Sequence, residues 1–296
     1  VFGNVQKVHD LRSDEMISVA MTTYNGARYI KEQLDSILNQ SVPVDEIVIM
    51  DDCSTDETVE IIKSYQDRRI NLTVNSTNQG YIRNFYQAIM ACKGDYIFLA
   101  DQDDRWHFNK VEKMLGYMQE NRALALCSDF KLIDADGMPL SEEGNYVRNR
   151  FFTKIKGNKD VLIPVDFDYL VLGNILQGAT YCITKEVQQI YGQIKDFGVY
   201  HDHQLLLIAA KLGRLFFVNI PLIEYRIHGE NTIGFAKKGD WRVLRKLKFP
   251  QLKPAMVQFL DKLHKISPLS HYLWIKVLMY LRVPSFMNII RTIKPW

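Results

Sequence analysis

The sequence predicts an α/β fold in which helices cover a mainly parallel central sheet. Over the first half of the chain, short apolar runs of strand length alternate with segments of helical periodicity. Polar or turn-forming residues close each apolar run. Parallel strands need long crossover connections, and a helix between successive strands supplies them, so this alternation favours a parallel sheet.

The elements of the first half follow one another in order. Strands are predicted at 17–22, 46–50, 70–74, 95–100 and 123–127, and helices at 28–40, 56–66, 81–92 and 107–121. The first helix places Ile30, Leu34 and Ile37 on one face. The second follows Ser54-Thr55-Asp56-Glu57, which has the pattern of a capping box.

The alternation weakens beyond residue 128. Loops are predicted at 134–168 because this segment is rich in Gly, Asn and charged residues. A turn followed by a strand is predicted at 173–184. A helix at 202–212 ends at Gly213, and short strands follow at 215–218 and 222–226. Two tail helices are predicted at 251–266 and 269–283.

Composition narrows the class of protein. The 296 residues, 47% of them hydrophobic, are enough for a sizeable core and exclude an intrinsically disordered chain. Four widely spaced cysteines predict neither a zinc site nor a disulfide framework and are interpreted as reduced thiols. No run of 18 uncharged apolar residues predicts a membrane span, and residues 1–15 lack the apolar core of a signal peptide. A cytoplasmic protein is therefore expected.

Charge is unevenly distributed along the chain. Residues 237–296 hold 13 Lys/Arg and 2 Asp/Glu, a net charge of +11, and residues 1–236 hold 24 and 32, a net charge of −8. A tail that mixes cations with aromatic residues suits peripheral attachment to an anionic membrane surface, such as the inner face of the cell membrane. Nucleic acid would match the charge, but no nucleic-acid motif accompanies it and none is expected as a partner. A packed appendage or a dimer contact is the alternative.

Asp101-Gln102-Asp103-Asp104 follows the apolar run 96–100 and holds three carboxylates in four residues. These groups would repel one another unless a divalent cation neutralised them. Oxygen ligands in this arrangement suit Mg²⁺ or Mn²⁺ holding a diphosphate. A solvated acidic turn before a helix is the alternative interpretation.

Polar loops follow four successive predicted strands, after residues 22, 50, 74 and 100. Because the carboxyl ends of parallel strands meet at one edge of a sheet, the four loops predict one ligand site. Neither Gly-x-Gly-x-x-Gly after the first strand nor Gly-Lys-Ser/Thr is present, which argues against a dinucleotide site and a P-loop.

The combined motifs resemble those of glycosyltransferase family 2, which has the GT-A fold. They are Thr22-Thr23-Tyr24-Asn25, Met50 to Asp56, Asn78-x-Gly80-x-x-Arg83-Asn84 and the acidic motif 101–104. Trp106 after that motif makes the chain similar to rhamnosyltransferase-like bacterial members. The resemblance covers about residues 17–235. It implies a Rossmann-like sheet, a nucleotide-sugar donor, Mn²⁺ or Mg²⁺ as cofactor, and inversion at the anomeric carbon.

The resemblance also implies a division of the chain. Residues 1–15 would be an extension, and 16–240 the GT-A domain, with a nucleotide-binding half at 16–128 and an acceptor half with a lid at 129–240. Residues 241–296 would form a C-terminal helical appendage, the basic tail.

The resemblance implies roles in donor binding for the residues that match the family motifs. Thr22 and Tyr24 would contact the nucleoside base, and Asp52, with Asp51, would accept a hydrogen bond from the pyrimidine N3–H. Arg83 would lie over or beside the base, and Asn78 and Gly80 belong to the same nucleotide-binding motif. The alternatives are helix capping through the Ser54 turn for the two aspartates and a surface salt bridge for Arg83.

The resemblance assigns metal binding and diphosphate binding to two further motifs. Asp101 would meet the ribose or the metal, and Asp103 would ligate the metal, with His228 as an additional candidate ligand. Tyr225-Arg226-Ile227-His228 resembles a family motif that precedes a flexible segment over the diphosphate. Arg226 and His228 would donate hydrogen bonds to its phosphate oxygens.

The catalytic base of the family is an acidic residue at the head of the 202–212 helix, and Asp202 is the match. An acceptor hydroxyl must lose its proton as it attacks the anomeric carbon, and a carboxylate within hydrogen-bond reach takes it. Gln177 and Gly178 would contact the acceptor. The alternatives are an ordinary N-cap for Asp202 and a metal site formed by His201, His203 and His228.

We therefore expect an inverting, metal-dependent glycosyltransferase that moves a sugar from a UDP- or dTDP-sugar to a glycan or lipid-linked saccharide in polysaccharide biosynthesis. A nucleotidyltransferase that makes nucleotide-sugars would require a Gly-rich, cationic first loop, and this loop has no cation before Arg28. A non-catalytic sugar-nucleotide-binding scaffold subunit is the third alternative. The joint presence of an acidic cluster and a candidate base disfavours it.

Overall fold

A mixed sheet of nine strands forms the centre of the computed structural model, which describes residues 15–140, 162–171, 174, 176–229 and 254–268. The strands are β1 (Ile17–Thr23), β2 (Glu46–Asp51), β3 (Ile70–Val74), β4 (Tyr96–Ala100), β5 (Arg105–Trp106), β6 (Ala125–Ile133), β7 (Leu162–Pro164), β8 (Tyr181–Thr184) and β9 (Leu215–Arg226). The helices are α1 (Ile30–Leu38), α2 (Thr58–Ser64), α3 (Tyr81–Ala91), α4 (Lys110–Glu120), α5 (Phe167–Val171), α6 (Lys185–Ile194), α7 (His201–Lys211) and α8 (Pro254–Ile266).

The strand order places a topological switch point at the predicted site. The order is β3-β2-β1-β4-β8-β6-β9-β5, with β7 paired to β9. β3, β2, β1 and β4 are all parallel, and β8 runs antiparallel to both β4 and β6. The chain moves outward from β1 to β3 and then returns to the other side of β1 as β4. Ligands of open α/β sheets bind in the crevice at such a reversal, beyond the carboxyl ends of the strands.

Two apolar layers cover the two faces of the sheet. Successive strand residues point to opposite faces, so Val19 and Met21 pack with α1 and α4, whereas Ala20 packs with α3, α6 and α7. β1, β2 and β4 are largely apolar runs because helices cover both faces, whereas the edge strand β3 is partly exposed. This explains why the first half of the sheet could be predicted from runs of apolar residues.

The structure differs from the predicted elements in the second half. The predicted short strands 215–218 and 222–226 form one continuous strand, β9, in which Pro221 lies opposite Asp129 at a register shift. A proline is tolerated in a strand at such an irregularity because no ladder hydrogen bond is lost there. Helix α6 was not predicted. It follows β8 with no intervening loop, and Gly192 weakens its helical signal.

Helix α8 of the basic tail packs onto the domain. Its Met256, Phe259, Leu260 and Leu263 are buried with α6 in the same apolar layer. The alternative of a packed appendage is therefore correct for residues 254–268. The rest of the tail, including the predicted helix 269–283, lies outside the described residues, and membrane attachment there stays a prediction. Within the described part of the chain, no helix is long and apolar enough to cross a bilayer.

Replacing Phe259 with Ala tests the packing of α8. Its side chain is completely buried, so we expect the free energy of unfolding to fall by about 3–5 kcal/mol. Urea denaturation of the full chain measures this loss. The matched control is Lys265→Ala on the exposed side of the helix, which should leave the midpoint nearly unchanged. Equal midpoints for both variants would mean that α8 does not pack on the domain.

Candidate active site

A cavity of about 820 Å³ opens at the carboxyl ends of β1 and β4. This volume lies within the usual range of ligand pockets and can accept a nucleotide-sugar. Eleven of the predicted site residues line it, namely Thr22, Tyr24, Asp52, Asn78, Gly80, Asp101, Asp103, Gln177, Gly178, Asp202 and His228. The other three, Asp51, Arg83 and Arg226, do not line it.

Asp51 lies behind the cavity wall and joins the loops after β1 and β2. Its buried carboxylate accepts hydrogen bonds from Thr23 Oγ1 (2.7 Å) and from Ser54 N (2.8 Å) and Oγ (2.6 Å). The capping box predicted at Ser54 is wrong, because the N-cap position of α2 is Glu57 and its side chain caps nothing. Asp51 therefore shapes the loop and is not positioned to meet a nucleoside.

Asp52 holds the loop between β3 and α3. Its carboxylate accepts hydrogen bonds from Asn75 Nδ2 (3.0 Å), Gln79 N (2.8 Å) and Gly80 N (2.8 Å). Gly80 has a φ of +81°, a left-handed conformation that other residues rarely adopt. Asp52 thus positions the Asn78–Gly80 wall of the cavity, and its carboxylate retains capacity for one further donor.

The amide side chain of Gln102, within the acidic motif, binds the backbone of Tyr24. This contact was not predicted from the sequence. The Gln102 side chain accepts a hydrogen bond from Tyr24 N (2.8 Å) and donates one to Tyr24 O (3.0 Å). A Cβ atom on Gly26 would lie 2.2 Å from Gln102 Oε1. Gly26 is therefore required for the close approach of the two loops, and Gln102 fixes the backbone of the predicted base-contacting residue.

A buried cation lies behind the acidic motif. Lys110 is completely buried, donates a hydrogen bond from Nζ to Ala179 O (2.9 Å) and stands 3.8 Å from the centre of the Trp106 ring. Burial lowers the pKa of this ammonium to about 7, and attraction to Asp104 and Asp101 opposes the change. Desolvation, together with the Asp103 carboxylate, raises the pKa of Asp101 to about 7. Sequence reasoning missed Lys110, which compensates part of the negative charge.

Asp103 and His228 form the part of the site best suited to a metal ion. His228 Nε2 lies 2.7 Å from Asp103 Oδ2, and the histidine ring packs 4.9 Å from the Tyr29 ring. Carboxylate and imidazole are donors that Mn²⁺ accepts, and Mg²⁺ is commonly held by one or two carboxylates plus substrate phosphates. In the described part of the chain, no three His, Cys, Asp or Glu side chains form a complete metal site. A cation here would therefore need oxygens from the substrate.

Arg226 requires a correction. It was predicted to bind the diphosphate, but its guanidinium is only 1% exposed and does not face the cavity. Nε donates to Asp103 O (2.7 Å), one terminal nitrogen binds the carbonyls of Asp134 and Ala135, and the other pairs with Glu32. Arg226 instead fixes the acidic loop from behind.

Among the described residues that line the cavity, Arg28 carries the one Lys or Arg side chain. Its guanidinium pairs with Asp136 across the cavity rim (2.9 Å), and both side chains are well exposed. Such an exposed pair contributes little stability, so Arg28 can exchange Asp136 for an anionic ligand at low cost. The sequence offered no motif that distinguished it.

Arg83 is not brought to the cavity. Its exposed guanidinium lies 4.3 Å from the centre of the Phe197 ring, as a cation–π contact between α3 and the segment before α7. Neither the predicted position beside the base nor the alternative surface salt bridge describes this contact.

Asp202 lies in the first turn of α7 and faces the cavity. The N-cap position belongs to Tyr200, so the alternative of Asp202 as an N-cap is wrong. Asp202 Oδ1 accepts a hydrogen bond from His203 N (2.7 Å), and Oδ2 accepts one from Asn174 Nδ2 (2.6 Å). A Cβ on Gly178 would lie 3.2 Å from that of Asp202. Burial raises the pKa of the carboxyl to about 6.

The two histidines beside Asp202 diverge, so the alternative metal site of His201, His203 and His228 is not formed. The His201 ring stacks on Phe85 with centres 4.0 Å apart, and His203 Nε2 lies 2.7 Å from Leu170 O. Burial lowers their pKa values to about 3 and about 4, so both rings are neutral near pH 7.

Comparison with known proteins identifies the family. Residues 18–173 match the family model described as glycosyl transferase family 2. The chain belongs to glycosyltransferase family 2. The family and fold predicted from the motifs are therefore confirmed, and the chain is a member of a family of sugar-transferring enzymes. The finer similarity to rhamnosyltransferase-like members stays a prediction.

Two curated relatives and one solved structure illustrate the family. The chain is 35% identical over 129 residues to a putative teichuronic acid biosynthesis glycosyltransferase of Bacillus subtilis, covering 43% of this chain and 51% of that protein. It is 32% identical over 131 residues to the poly(ribitol-phosphate) β-N-acetylglucosaminyltransferase TarS of Staphylococcus aureus, covering 42% and 22%.

The solved structure supports the fold alone. TarS 1–349 in complex with UDP-GlcNAc superimposes with a TM-score of 0.57 and 17% identity, over 87% of this chain and 75% of that one. The chain spans about half the length of the first of the curated relatives that it matches.

Proposed function

We propose that this chain transfers a sugar from a UDP- or dTDP-sugar to a saccharide or lipid-linked acceptor in polysaccharide biosynthesis, with inversion at the anomeric carbon. The observation that carries this proposal is one cavity in which the partly buried carboxylate of Asp202 and the acidic loop of Asp101 and Asp103 both line the wall. A sequence relative named as an N-acetylglucosaminyltransferase, and one named for teichuronic acid biosynthesis, support the activity and the biosynthetic role.

The donor nucleoside would occupy the cavity wall formed by the loops after β1, β2 and β3. Thr22 and Tyr24 offer contacts for the base, and Tyr24 is 48% exposed. The remaining acceptor capacity of Asp52 suits a pyrimidine N3–H. Asn78 and Gly80 complete this wall, and Asp101 would meet the ribose or the cation.

Asp103 and His228, with Asp101, would hold Mn²⁺ or Mg²⁺ together with the donor diphosphate. When bound, such a cation neutralises the negative charge that develops on the leaving diphosphate. Asp103 is presented at a fixed place because Arg226 Nε binds its carbonyl and Asp104 accepts a hydrogen bond from Arg226 N (3.0 Å). Arg28 lines the same cavity and would add a positive charge to the diphosphate site.

Asp202 would take the proton from the attacking acceptor hydroxyl. His203 N and Asn174 Nδ2 each bind one of its carboxylate oxygens, which orients the group, and each oxygen keeps a lone pair for the acceptor. A pKa of about 6 leaves most of the base ionised at neutral pH and close to the pH at which a general base is most effective.

The pH dependence follows from the raised pKa of Asp202. The ionised form is the active one, so kcat/KM should reach a plateau above about pH 6 and fall about tenfold per pH unit below it. Initial rates at saturating Mn²⁺ measure the profile. The residual activity of Asp202→Asn should lack this acidic limb. A wild-type rate that stays constant down to pH 4 would exclude Asp202 as the base.

A screen of nucleotide-sugars tests the proposed function. UDP-, dTDP- and GDP-sugars are incubated with the chain and Mn²⁺, and release of the nucleoside diphosphate is recorded with and without EDTA. We expect release from a UDP- or dTDP-sugar that EDTA abolishes. Binding of a donor without release of the nucleoside diphosphate, even when saccharide acceptors are added, would favour the non-catalytic alternative. Release of pyrophosphate from a nucleoside triphosphate would favour the nucleotidyltransferase.

A further inference from the structure

We propose that the acceptor unit reaching Asp202 is an uncharged sugar ring held against Tyr81 and Tyr200, and not a phosphate-bearing unit. This assignment rests on the sugar transfer proposed above and specifies its acceptor class. The two tyrosines are called the aromatic wall below.

The aromatic wall is built from the first turns of two helices. Tyr81 is the first residue of α3 and lines the cavity together with Asp202. Tyr200, the N-cap residue of α7, lies outside the cavity lining and extends the surface of Tyr81. Their ring centres lie 6.1 Å apart, the ring planes are inclined by 31°, and the side chains share a hydrogen bond. The wall therefore stands beside the candidate base.

The rings are supported from behind and open in front. His201 packs against the edge of Tyr81, with ring centres 6.3 Å apart, and stacks in turn on Phe85. Tyr200 nevertheless remains 40% exposed. An exposed tyrosine ring held against Tyr81, which itself lines the cavity of Asp202, is explained by contact with a ligand better than by packing in the core.

An aromatic surface of this kind selects for sugar rings. The face of a tyrosine ring is electrostatically negative, and one face of a pyranose presents polarised C–H groups that it attracts. The hydroxyl groups at the rim of the sugar remain available for hydrogen bonds. Gln177, which also lines the cavity, offers an uncharged amide for them.

The charges around Asp202 disfavour an anionic acceptor. Asp101, Asp103 and Asp202 all line the cavity. Among the described residues of the lining, Arg28 carries the one Lys or Arg side chain, and it is assigned above to the donor diphosphate. A phosphate close to Asp202 would face like charges in a partly desolvated site, where repulsion is stronger than in water.

The test compares neutral and anionic acceptor probes of the same size. Methyl glycosides of glucose, N-acetylglucosamine and rhamnose are presented alongside ribitol 5-phosphate and glycerol 3-phosphate, with the donor identified by the nucleotide-sugar screen. Saturation-transfer NMR measures binding of each probe, and acceptor-dependent release of the nucleoside diphosphate measures its use. Binding and use of a neutral glycoside alone is the expected result, and use of the phosphates alone would overturn the proposal.

Variants of the wall provide the second readout. Tyr81→Leu and Tyr200→Leu should raise the acceptor KM about tenfold, as expected for loss of a stacking contact, and acceptor-independent donor hydrolysis is measured beside it. Tyr81→Phe and Tyr200→Phe keep the ring and should retain most of the affinity. Phe108→Leu, at a 69% exposed aromatic residue outside the cavity, is the matched control.

Two further outcomes separate this proposal from the proposed function. An unchanged acceptor KM in both Leu variants, with donor hydrolysis intact, would overturn the aromatic wall and leave the transfer standing. Failure of the unaltered chain to hydrolyse any nucleotide-sugar would contradict the transfer itself, and the acceptor assignment would fall with it.

Discussion

Asp202→Asn is expected to bind the nucleotide-sugar donor with unchanged affinity and to transfer the sugar about 10²–10⁴-fold more slowly, the usual effect of losing a general base. The amide has nearly the shape of the carboxylate, and its oxygen can still accept the hydrogen bond from His203 N. It has no basic oxygen for the acceptor proton. The loss should therefore appear in kcat and spare donor affinity, which calorimetry and initial rates measure together.

The control for this variant is Asp168→Asn, an exposed carboxylate that does not line the cavity. It removes the same charge and should keep wild-type turnover. Wild-type turnover in Asp202→Asn itself would mean that the carboxylate only orients Asn174 and the first turn of α7. The base would then have to be another group.

Asp103→Ala is expected to abolish the metal-dependent part of donor binding. The variant removes the only carboxylate that contacts His228 among the described hydrogen bonds, and the remaining donors are too few to hold a hard cation on the diphosphate. Calorimetry of UDP binding with Mn²⁺ and with EDTA measures the effect. We expect the wild-type chain to bind UDP more tightly with Mn²⁺, and the variant to bind equally weakly under both conditions.

The stability of this variant must be checked beside its binding, because Asp103 is partly buried. Thermal unfolding without metal should be close to that of Asp168→Ala, the matched control for loss of a carboxylate. Equal affinity of the wild-type chain for UDP in Mn²⁺ and in EDTA would exclude a metal-dependent site, whatever the variant does.

The architecture of the donor half could be predicted because its signals are local. Apolar runs and helical periodicity mark each element of the order β1-α1-β2-α2-β3-α3-β4, and parallel pairing brings the loops after residues 23, 51, 74 and 100 to one edge. The cluster of polar residues at that edge was therefore predictable before any distance was known. The candidate base was placed only through the resemblance to a family.

Long-range pairing explains what could not be predicted. Arg226 and Glu32 are 194 positions apart, and nothing in either segment shows that they form an ion pair. The sequence Tyr-Arg-x-His was interpreted as a phosphate site, whereas Tyr225 and His228 line the cavity and Arg226 does not. Gln102 and Lys110 were missed for the same reason, since their partners Tyr24 and Ala179 lie 78 and 69 positions away.

Helix α6 and strand β9 show how neighbouring structure overrides local signals. Val187, Tyr191 and Ile194 are buried at helical spacing, but the preceding strand continues directly into the helix and conceals its start. Pro221 divides the pattern of β9, and pairing with β6 keeps the strand continuous through a register shift. Both features depend on neighbours that are distant in the sequence.

The stereochemistry of the transferred sugar tests the central claim most directly. The proposed arrangement, with Asp202 as the base and the leaving group held by the acidic loop, permits a single displacement, which inverts the anomeric carbon. Proton NMR of the product formed from an α-linked nucleotide-sugar gives the configuration from the coupling of the anomeric proton. We expect a β-linked product. An α-linked product would require a retaining route, such as a double displacement through a nucleophile of the protein, and would contradict the role proposed for Asp202.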